Sequence, residues 1–345
     1  NSVAFCRPSW QFALSADASG SVYFLTFRST FSGRDCTRQL LIESSSNIGI
    51  TLRILPLPQV PQVPNQQGHA IDQKCLVALC ATNATVLLTL HPSVTLVRKM
   101  PYAARDATNQ SWTPDAAWLR TEDAAQVQVV DPQLCIVFGQ TVHIMRVSFQ
   151  KPPDKEKEEV TVAVLHRYSW ASPIRCIAAF SESLLAVLDA SHKLTTVQLP
   201  APTEIAKATP ESQQLVPIEV QDVSSWNLVY HTHTCMDGSR DSRSHHGALA
   251  VFKGKGRVLY ACGMKEVWSL QIGRWGQHIE ELVGRNNWSL ALDVFQALHK
   301  GLLPPLLDFP HVKEARQKAV ESRTTQVIQS YLVSRLQPDM GRAQA

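Results

Sequence analysis

One pattern returns five times along the chain and restricts its fold more than any other feature: a short apolar strand, a tight polar turn, then a second strand with alternating apolar residues. The first copy is Phe12 to Leu14, the turn Asp17-Ala18-Ser19-Gly20, and Val22 to Phe27. Cys75 to Cys80, the turn Ala81-Thr82-Asn83-Ala84 and Thr85 to Leu90 form the second. The third is Leu134 to Phe138 and Val142 to Phe149, with Gly139-Gln140 as a two-residue hairpin signal. Leu184 to Leu188 and Leu194 to Leu199 flank the turn from Asp189 to Lys193, and Val258 to Ala261 is followed by Cys262-Gly263-Met264-Lys265 and Glu266 to Ile272. The turns begin at 17, 81, 139, 189 and 262, so the intervals run from 50 to 73 residues. Further strand candidates (Gly49 to Leu55, Gln126 to Val130, Ile174 to Ala179, Ala248 to Phe252) bring each interval to about four strands. Serial four-stranded units are the mark of a β-propeller, whose compact WD40-like blades repeat every ~40–45 residues. Loops account for the excess: Pro56 to Gly68, Lys151 to Glu159, Ala201 to Gln214 and Met236 to His246 are too polar to pack and too long for hairpin turns.

From Trp275 the period changes. Trp275, Ile279, Leu282 and Val283 recur at helical spacing, as do Trp288, Ala291, Leu292, Phe295 and Leu298, with Gly301 placed to cap the second helix. A third helix is expected from about Val312 to Leu336, with Val320, Val327, Tyr331 and Leu332 among its apolar positions. The expected division is therefore 1–273, a WD40-like propeller, and 274–345, the start of an α-solenoid. At the observed spacing 273 residues supply four or five blades, fewer than the roughly six or seven of many closed rings. The expectation is that these are the C-terminal blades of a larger propeller, in a segment of something longer that opens at Asn1.

Composition closes off other classes. A formal charge of +4 is too mild for a nucleic-acid footprint, and no apolar run approaches the ~20 residues of a membrane span. The cysteines show no Cys-x-x-Cys pair, and Cys75, Cys80, Cys135 and Cys176 lie in apolar runs, so reduced buried thiols and a cytoplasmic address are expected. Nucleophile-elbow, P-loop and His-Glu-x-x-His patterns are missing, and Gly254-Lys255-Gly256-Arg257 leads into a strand rather than a helix, so it suits a basic turn better than a phosphate loop. His231, His233 and Cys235 alternate along a strand with His245-His246 beyond, yet their spacing matches no ordinary zinc module; an exposed polar loop is expected there. Asp17, Gly20 and Asp189 are expected as turn residues, and Trp275 and Trp288 as wedges seating the helices on the last blade. No catalytic, cofactor or metal residue is expected. An enzyme site in a propeller channel needs convergent acidic or histidine residues, and the inward-facing strand candidates are almost wholly apolar.

Two stretches resemble a specific family. Ala16-Asp17-Ala18-Ser19-Gly20-Ser21-Val22-Tyr23-Phe24-Leu25-Thr26-Phe27 is similar to the Asp/Ser-Gly-Gly-Ser-Val-aromatic-x-Leu-x-Phe strand of the vacuolar protein sorting-associated protein eight family. Trp275, Ile279 and Leu282, followed by Trp288 and Ala291-Leu292, resemble its Trp-x-x-x-Ile-x-x-Leu element and the helical hairpin after it. Leu87 to Leu96 and the Gly139-Gln140 hairpin fall in the family's order; Gly276-Gln277, in place of a charged pair, and Ser289-Leu290 depart from it. The structural signature carried by the resemblance is thus Asp17, Gly20, Val22, Phe27, Trp275, Ile279, Leu282 and Trp288. The resemblance implies a non-enzymatic scaffold subunit of the CORVET endosomal tether, peripheral on endosomal membranes. It also implies two sets of partners, an early-endosomal Rab GTPase and the class C vacuolar protein sorting core subunits, with any zinc-binding RING beyond residue 345. A coat-type or ciliary-transport propeller-solenoid scaffold is the alternative.

Overall fold

The computed structural model describes residues 2–6, 12–30, 33–43, 47–58, 70–102, 114–120, 131–150, 159–181, 183–199, 215–226, 228, 231–234, 243–246, 249–252, 258–262, 266–303, 306, 308–310 and 313–336. Four successive sheets have four strands each. The first holds β1 (Ser2–Cys6), β2 (Phe12–Ala16), β3 (Val22–Thr30) and β4 (Gly33–Ile42); the second β5 (Thr51–Pro56), β6 (Leu76–Ala81), β7 (Ala84–Thr89) and β8 (Thr95–Pro101). The third holds β9 (Asp115–Leu119), β10 (Gln133–Phe138), β11 (Thr141–Gln150) and β12 (Glu159–Ser169); the fourth β13 (Ile174–Ala179), β14 (Leu184–Asp189), β15 (Lys193–Gln198) and β16 (Val216–Asp222). A short hairpin of β17 (His231–Thr234) and β18 (Arg243–His246) precedes a three-stranded sheet of β19 (Leu249–Phe252), β20 (Val258–Cys262) and β21 (Val267–Gln271). Every strand pairs antiparallel with its neighbour in sequence inside its sheet, and the first strands of successive sheets lie side by side, β1 to β5 to β9 to β13 to β19. That is a row of propeller blades with those five strands innermost.

The blades stack because their central strands are apolar on both faces, and strict alternation sends successive side chains to different neighbours. In β6, Val77, Leu79 and Ala81 turn back to a core with Leu14, Ala16 and Val22, while Leu76, Ala78 and Cys80 turn forward to one with Ala116, Leu134 and Ile136. In β10, Cys135 and Val137 reach the next core with Ile177, Leu185 and Val187; in β14, Leu184, Ala186 and Leu188 face Leu259 and Ala261. Four separate cores, each shared by two adjacent blades, hold the row together.

All five hairpins are present, as β2–β3, β6–β7, β10–β11, β14–β15 and β20–β21. Gly49 to Leu55, Ile174 to Ala179 and Ala248 to Phe252 become β5, β13 and β19. Gln126 to Val130 lies outside the described residues, and the third blade's innermost strand is β9, which periodicity does not pick out because it holds Asp115 and Trp118. Most of the four polar stretches likewise fall outside the described residues. The end of Met236 to His246 corrects the expectation of a loop, because Arg243 to His246 form β18 and pair with β17.

Strands give way to helices between residues 271 and 275: α1 (Trp275–Gly284), α2 (Trp288–Lys300) and α3 (Lys313–Leu336). Gly301 ends α2 at φ 75°, and the amides of Gly301 and Leu302 return to the carbonyls of Leu298 and Ala297 at 3.2 and 2.8 Å. Only a residue at ease with positive φ closes a helix this way. Ile279, Ala291, Phe295, Leu298, Phe309 and Val320 form the helical core. Leu332, one of the apolar positions of α3, is 46% exposed.

Candidate interaction surface and the residues that frame it

Asp17 and Gly20 shape the exposed turn between β2 and β3. The Asp17 Oδ1 accepts the amides of Ser19 and Ser21 at 3.0 Å each and the Ser19 hydroxyl at 2.6 Å. The Ser19 hydroxyl, with the amides of Ser21 and Ser19, holds the Asp17 carboxyl below its ordinary value. Gly20 has φ 94°, and a Cβ there would meet the Gly49 carbonyl at 3.1 Å, so this turn also seats the first blade on the second. The fourth blade repeats the device: Asp189 Oδ1 accepts the amides of Ser191 and Lys193 at 2.9 and 3.1 Å and the Ser191 hydroxyl at 2.6 Å, and His192 takes Gly20's place at φ 60°. Val22 is fully buried between the first two blades, whereas Phe27 stands half-buried on the other face of β3.

The helical signature residues meet in one place. Ile279 is buried, Trp275 and Leu282 pack around it, and Trp288 meets Tyr331 of α3 edge-on at 5.3 Å. Trp288 therefore corrects the expectation of a wedge against the last blade: it ties α2 to α3. Gly276 has a local reason. Arg274, the N-cap of α1, offers no side-chain hydrogen bond, and Asp308, from the α2–α3 connection, accepts the Gly276 amide at 2.6 Å instead. A Cβ at 276 would stand 3.0 Å from that carboxylate and 2.9 Å from Arg323, which pairs with Asp308 at 3.5 Å and covers Phe309 at 4.7 Å. A carboxylate at a helix N-terminus satisfies orphan amides and the helix dipole together.

The inner strands carry one polar constellation that periodicity does not reveal. Asp115 of β9 is 4% exposed and binds three ways: its Oδ1 accepts Arg53 of β5 at 2.5 Å and the Ala116 amide at 2.8 Å, and its Oδ2 accepts the Ile177 amide of β13 at 2.9 Å. One carboxylate thus joins three consecutive blades. Asp115 raises the Arg53 guanidinium further above its usual value by charge. These two residues qualify the expectation of apolar inward-facing strands; they are engaged with each other, and Asp115 with two backbone amides as well. Cys80, Cys135 and Cys176 are buried and outside any disulfide, Cys75 is half-buried, and burial pushes the Cys80 thiol up to about 12, far from a reactive thiolate.

His231 and His233 lie on β17, opposite His246 and Ser244 of β18, while Cys235 lies outside the described residues. Among the described residues, no group of three or more His, Cys, Asp or Glu side chains is placed to hold a metal, and no helix is long and apolar enough to cross a membrane. What the structure presents to a partner is surface: outer strands, turn tips and one side of the helices. Leu96, Val164 and Val220 of the outer strands are 62%, 57% and 55% exposed.

Comparison with known proteins agrees with this architecture. Residues 2–255 match the family model described as Vps8 beta-propeller. The proteins named vacuolar protein sorting-associated protein 8 homolog of Homo sapiens and of Mus musculus are each 23% identical to the chain over 350 residues, covering 96% of it and 22% of their own length. The chain therefore spans about a fifth of these curated relatives. Among solved structures, Sqt1 from Chaetomium thermophilum covers 79% of the chain and 55% of its own at 15% identity and TM-score 0.45. A chain of Chaetomium thermophilum Polycomb Repressive Complex 2 bound to GSK126 covers 96% and 71% at 11% identity and TM-score 0.46. At such scores these structures carry no functional argument. The match over residues 2–255, on a row of four-stranded blades, makes the chain a member of the Vps8 β-propeller family.

Proposed function

We propose that this chain is the propeller and first helices of a non-enzymatic scaffold subunit of a CORVET-like endosomal tethering complex. In this reading residues 1–273 form the propeller unit and 274–345 begin an α-solenoid. Blade loops recognise a GTP-bound early-endosomal Rab and the helical arm docks to class C core subunits. The protein is cytoplasmic and reaches endosomal membranes through these partners, where it promotes docking and fusion in transport to the vacuole or lysosome. The carrying observation is the family match across residues 2–255, together with relatives named for vacuolar protein sorting that cover 96% of the chain. The architecture suits the role, because rigid blades followed by helices offer extended surfaces to several partners at once.

The test is a pulldown with immobilised early-endosomal Rab loaded with GTP or GDP, using the whole polypeptide to which this chain belongs. Retention on the GTP form alone, together with co-purification of class C subunits, is expected. Equal retention on both forms, or on neither, overturns the Rab assignment; purification without any class C subunit overturns the tethering assignment.

A further inference from the structure

We propose that the cleft at the outer rim between the second and third blades, walled by β8 and β12, binds an acidic peptide segment of a partner protein. An apolar side chain of that segment seats on Val164, and its carboxylates meet Arg98 and Arg167. The exposed apolar residues of the outer strands are not scattered. In register Leu96 opposes Leu88, Val164 opposes Met145 and Val220 opposes Thr195. Directly opposed residues share a face of the sheet. Leu88, Met145 and Val197, two residues on from Thr195, all belong to cores shared with the preceding blade. Each exposed residue therefore stands on the same wall of a cleft between two blades, the wall of the later blade.

Charge tells the three clefts apart. In the first, Lys99, opposed to Val86, shares the wall of Leu96, and Asp35 with Arg28 stands on the other wall. In the third, Asp222 with Lys193 faces a wall that holds Arg146 and Glu159. In the second, β8 presents Val97, Arg98 and Met100 and β12 presents Val162, Val164 and Arg167; among the described residues neither strand turns a carboxylate to the cleft. Arg98 is exposed and already donates to the Val162 carbonyl across the cleft at 2.6 Å. A guanidinium has five N–H groups, so that bond fixes its position and leaves a fork for a carboxylate. Arg167, exposed as well, opposes His143 in register, and its charge, after burial, holds that imidazole below its ordinary value. A carboxylate beside Arg167 would have opposed that shift. Bulges at Leu87/Leu88 and Ile144/Met145 interrupt the pairing of both outer strands and blunt their edges against strand addition, so side chains carry the recognition. Two arginines beside an apolar wall suit a short acidic segment with apolar anchors; a nucleic acid would need a longer run of cations.

This rim lies apart from the blade loops assigned to GTPase contact, so its test is independent of that reading. The experiment titrates the whole polypeptide into fluorescein-labelled Asp-Glu-Leu-Leu-Asp-Glu and Asp-Glu-Phe-Phe-Asp-Glu, with Lys-Lys-Leu-Leu-Lys-Lys as control, and follows fluorescence anisotropy. Saturable binding of an acidic peptide and none of the lysine peptide is expected. Arg98→Gln with Arg167→Gln should weaken it at least ~10-fold, the loss of a charge-assisted hydrogen bond, and Val164→Asp by as much or more. Because Arg98 also bonds the third blade, Arg167→Gln alone is measured beside the pair and should weaken binding in the same direction. Lys99→Gln, on the other face of β8, should leave binding unchanged. Failure of both acidic peptides to bind, equal binding of the lysine peptide, or acidic-peptide binding indifferent to the arginine variants overturns the proposal. So does arginine-dependent retention on phosphatidylserine vesicles without peptide binding, since an anionic lipid surface is then the occupant.

Discussion

Asp115 offers the sharpest test of how the blades are joined, because two accounts of it predict different mutant orders. If the carboxylate acts mainly as an ion-pair partner, removing either charge should cost about the same, on the order of 3–5 kcal/mol for a broken buried pair. The structure favours another account. The Arg53 side chain is 35% exposed against 5% for Asp115, so the guanidinium orphaned by removing Asp115 can turn to water at a cost of about 1 kcal/mol or less. The amides of Ala116 and Ile177 have no such escape: both residues are fully buried, and each unsatisfied buried N–H costs about 1–3 kcal/mol. Asp115→Ala should therefore cost about 3 kcal/mol. Asp115→Asn, whose single oxygen can keep one of the two amides, should cost about half that, and Arg53→Met, which removes the counter-charge but leaves the carboxylate both amides, less than Asp115→Ala. Urea unfolding at pH 7 followed by circular dichroism measures all three, and the Ala variant should melt about 4–5 °C lower. An Arg53→Met loss equal to that of Asp115→Ala would refute the backbone-clamp reasoning.

Further expectations concern the helices and the titrating groups. Gly276→Ala should weaken α1 by about 1–2 kcal/mol, because its Cβ must displace Asp308 or Arg323 and stretch the capping bond; faster amide exchange confined to α1 and its contacts is the readout, and unchanged exchange argues against the cap. Ile279→Ala should cost about 2–5 kcal/mol and Leu282→Ala less, since Ile279 is 3% exposed and Leu282 only partly buried; denaturant melts of the helical signal rank them. His166 is 8% exposed, its Nε2 has no hydrogen-bond partner, and burial lowers its pKa below the usual 6.5. The unfolded chain then takes up a proton that the folded chain refuses, so this contribution is complete above about pH 6.5 and falls as pH drops through the window down to the depressed folded value. His166→Phe should shrink the stability difference between pH 7.5 and 5.5, and an unchanged difference refutes the assignment. The Asp17 carboxyl, held low mainly by Ser19, gives stability present above the ordinary carboxylate value and lost as pH falls through its folded value; Ser19→Ala should reduce the shift seen by NMR titration.

The legible part of the fold is the part whose side chains see only apolar neighbours. The paired central strands of each blade, such as Leu76–Ala81 with Ala84–Thr89, announce themselves because both faces are buried. Outer strands do not: β8 reads Thr-Leu-Val-Arg-Lys-Met-Pro and β4 begins Gly-Arg-Asp-Cys, because one side meets water and the charges there mimic a loop. Asp115 is illegible for another reason: its partners Arg53 and Ile177 are each 62 residues away in sequence, brought together only when three blades assemble. Gly276 stands out in the sequence as a departure from a family pattern, and only the approach of Asp308 explains it. The turn Asp17-Ala18-Ser19-Gly20, by contrast, is closed by its own short-range bonds and can be read directly.

The four serial cores also set a timetable for synthesis. Strands within a blade are neighbours in sequence, so each hairpin can close soon after it is made, but the forward face of a blade is filled only by side chains of the blade still to come. With 50 to 73 residues between successive turns and translation at about 5–20 residues per second, each new blade waits about 3–15 s with its forward face wet. For that interval Leu76, Ala78 and Cys80, all later at 0–1% exposure, form an adhesive patch on the nascent chain. The row of blades therefore grows with a travelling sticky end, and the polypeptide's demand for chaperones should follow the position of the ribosome along it.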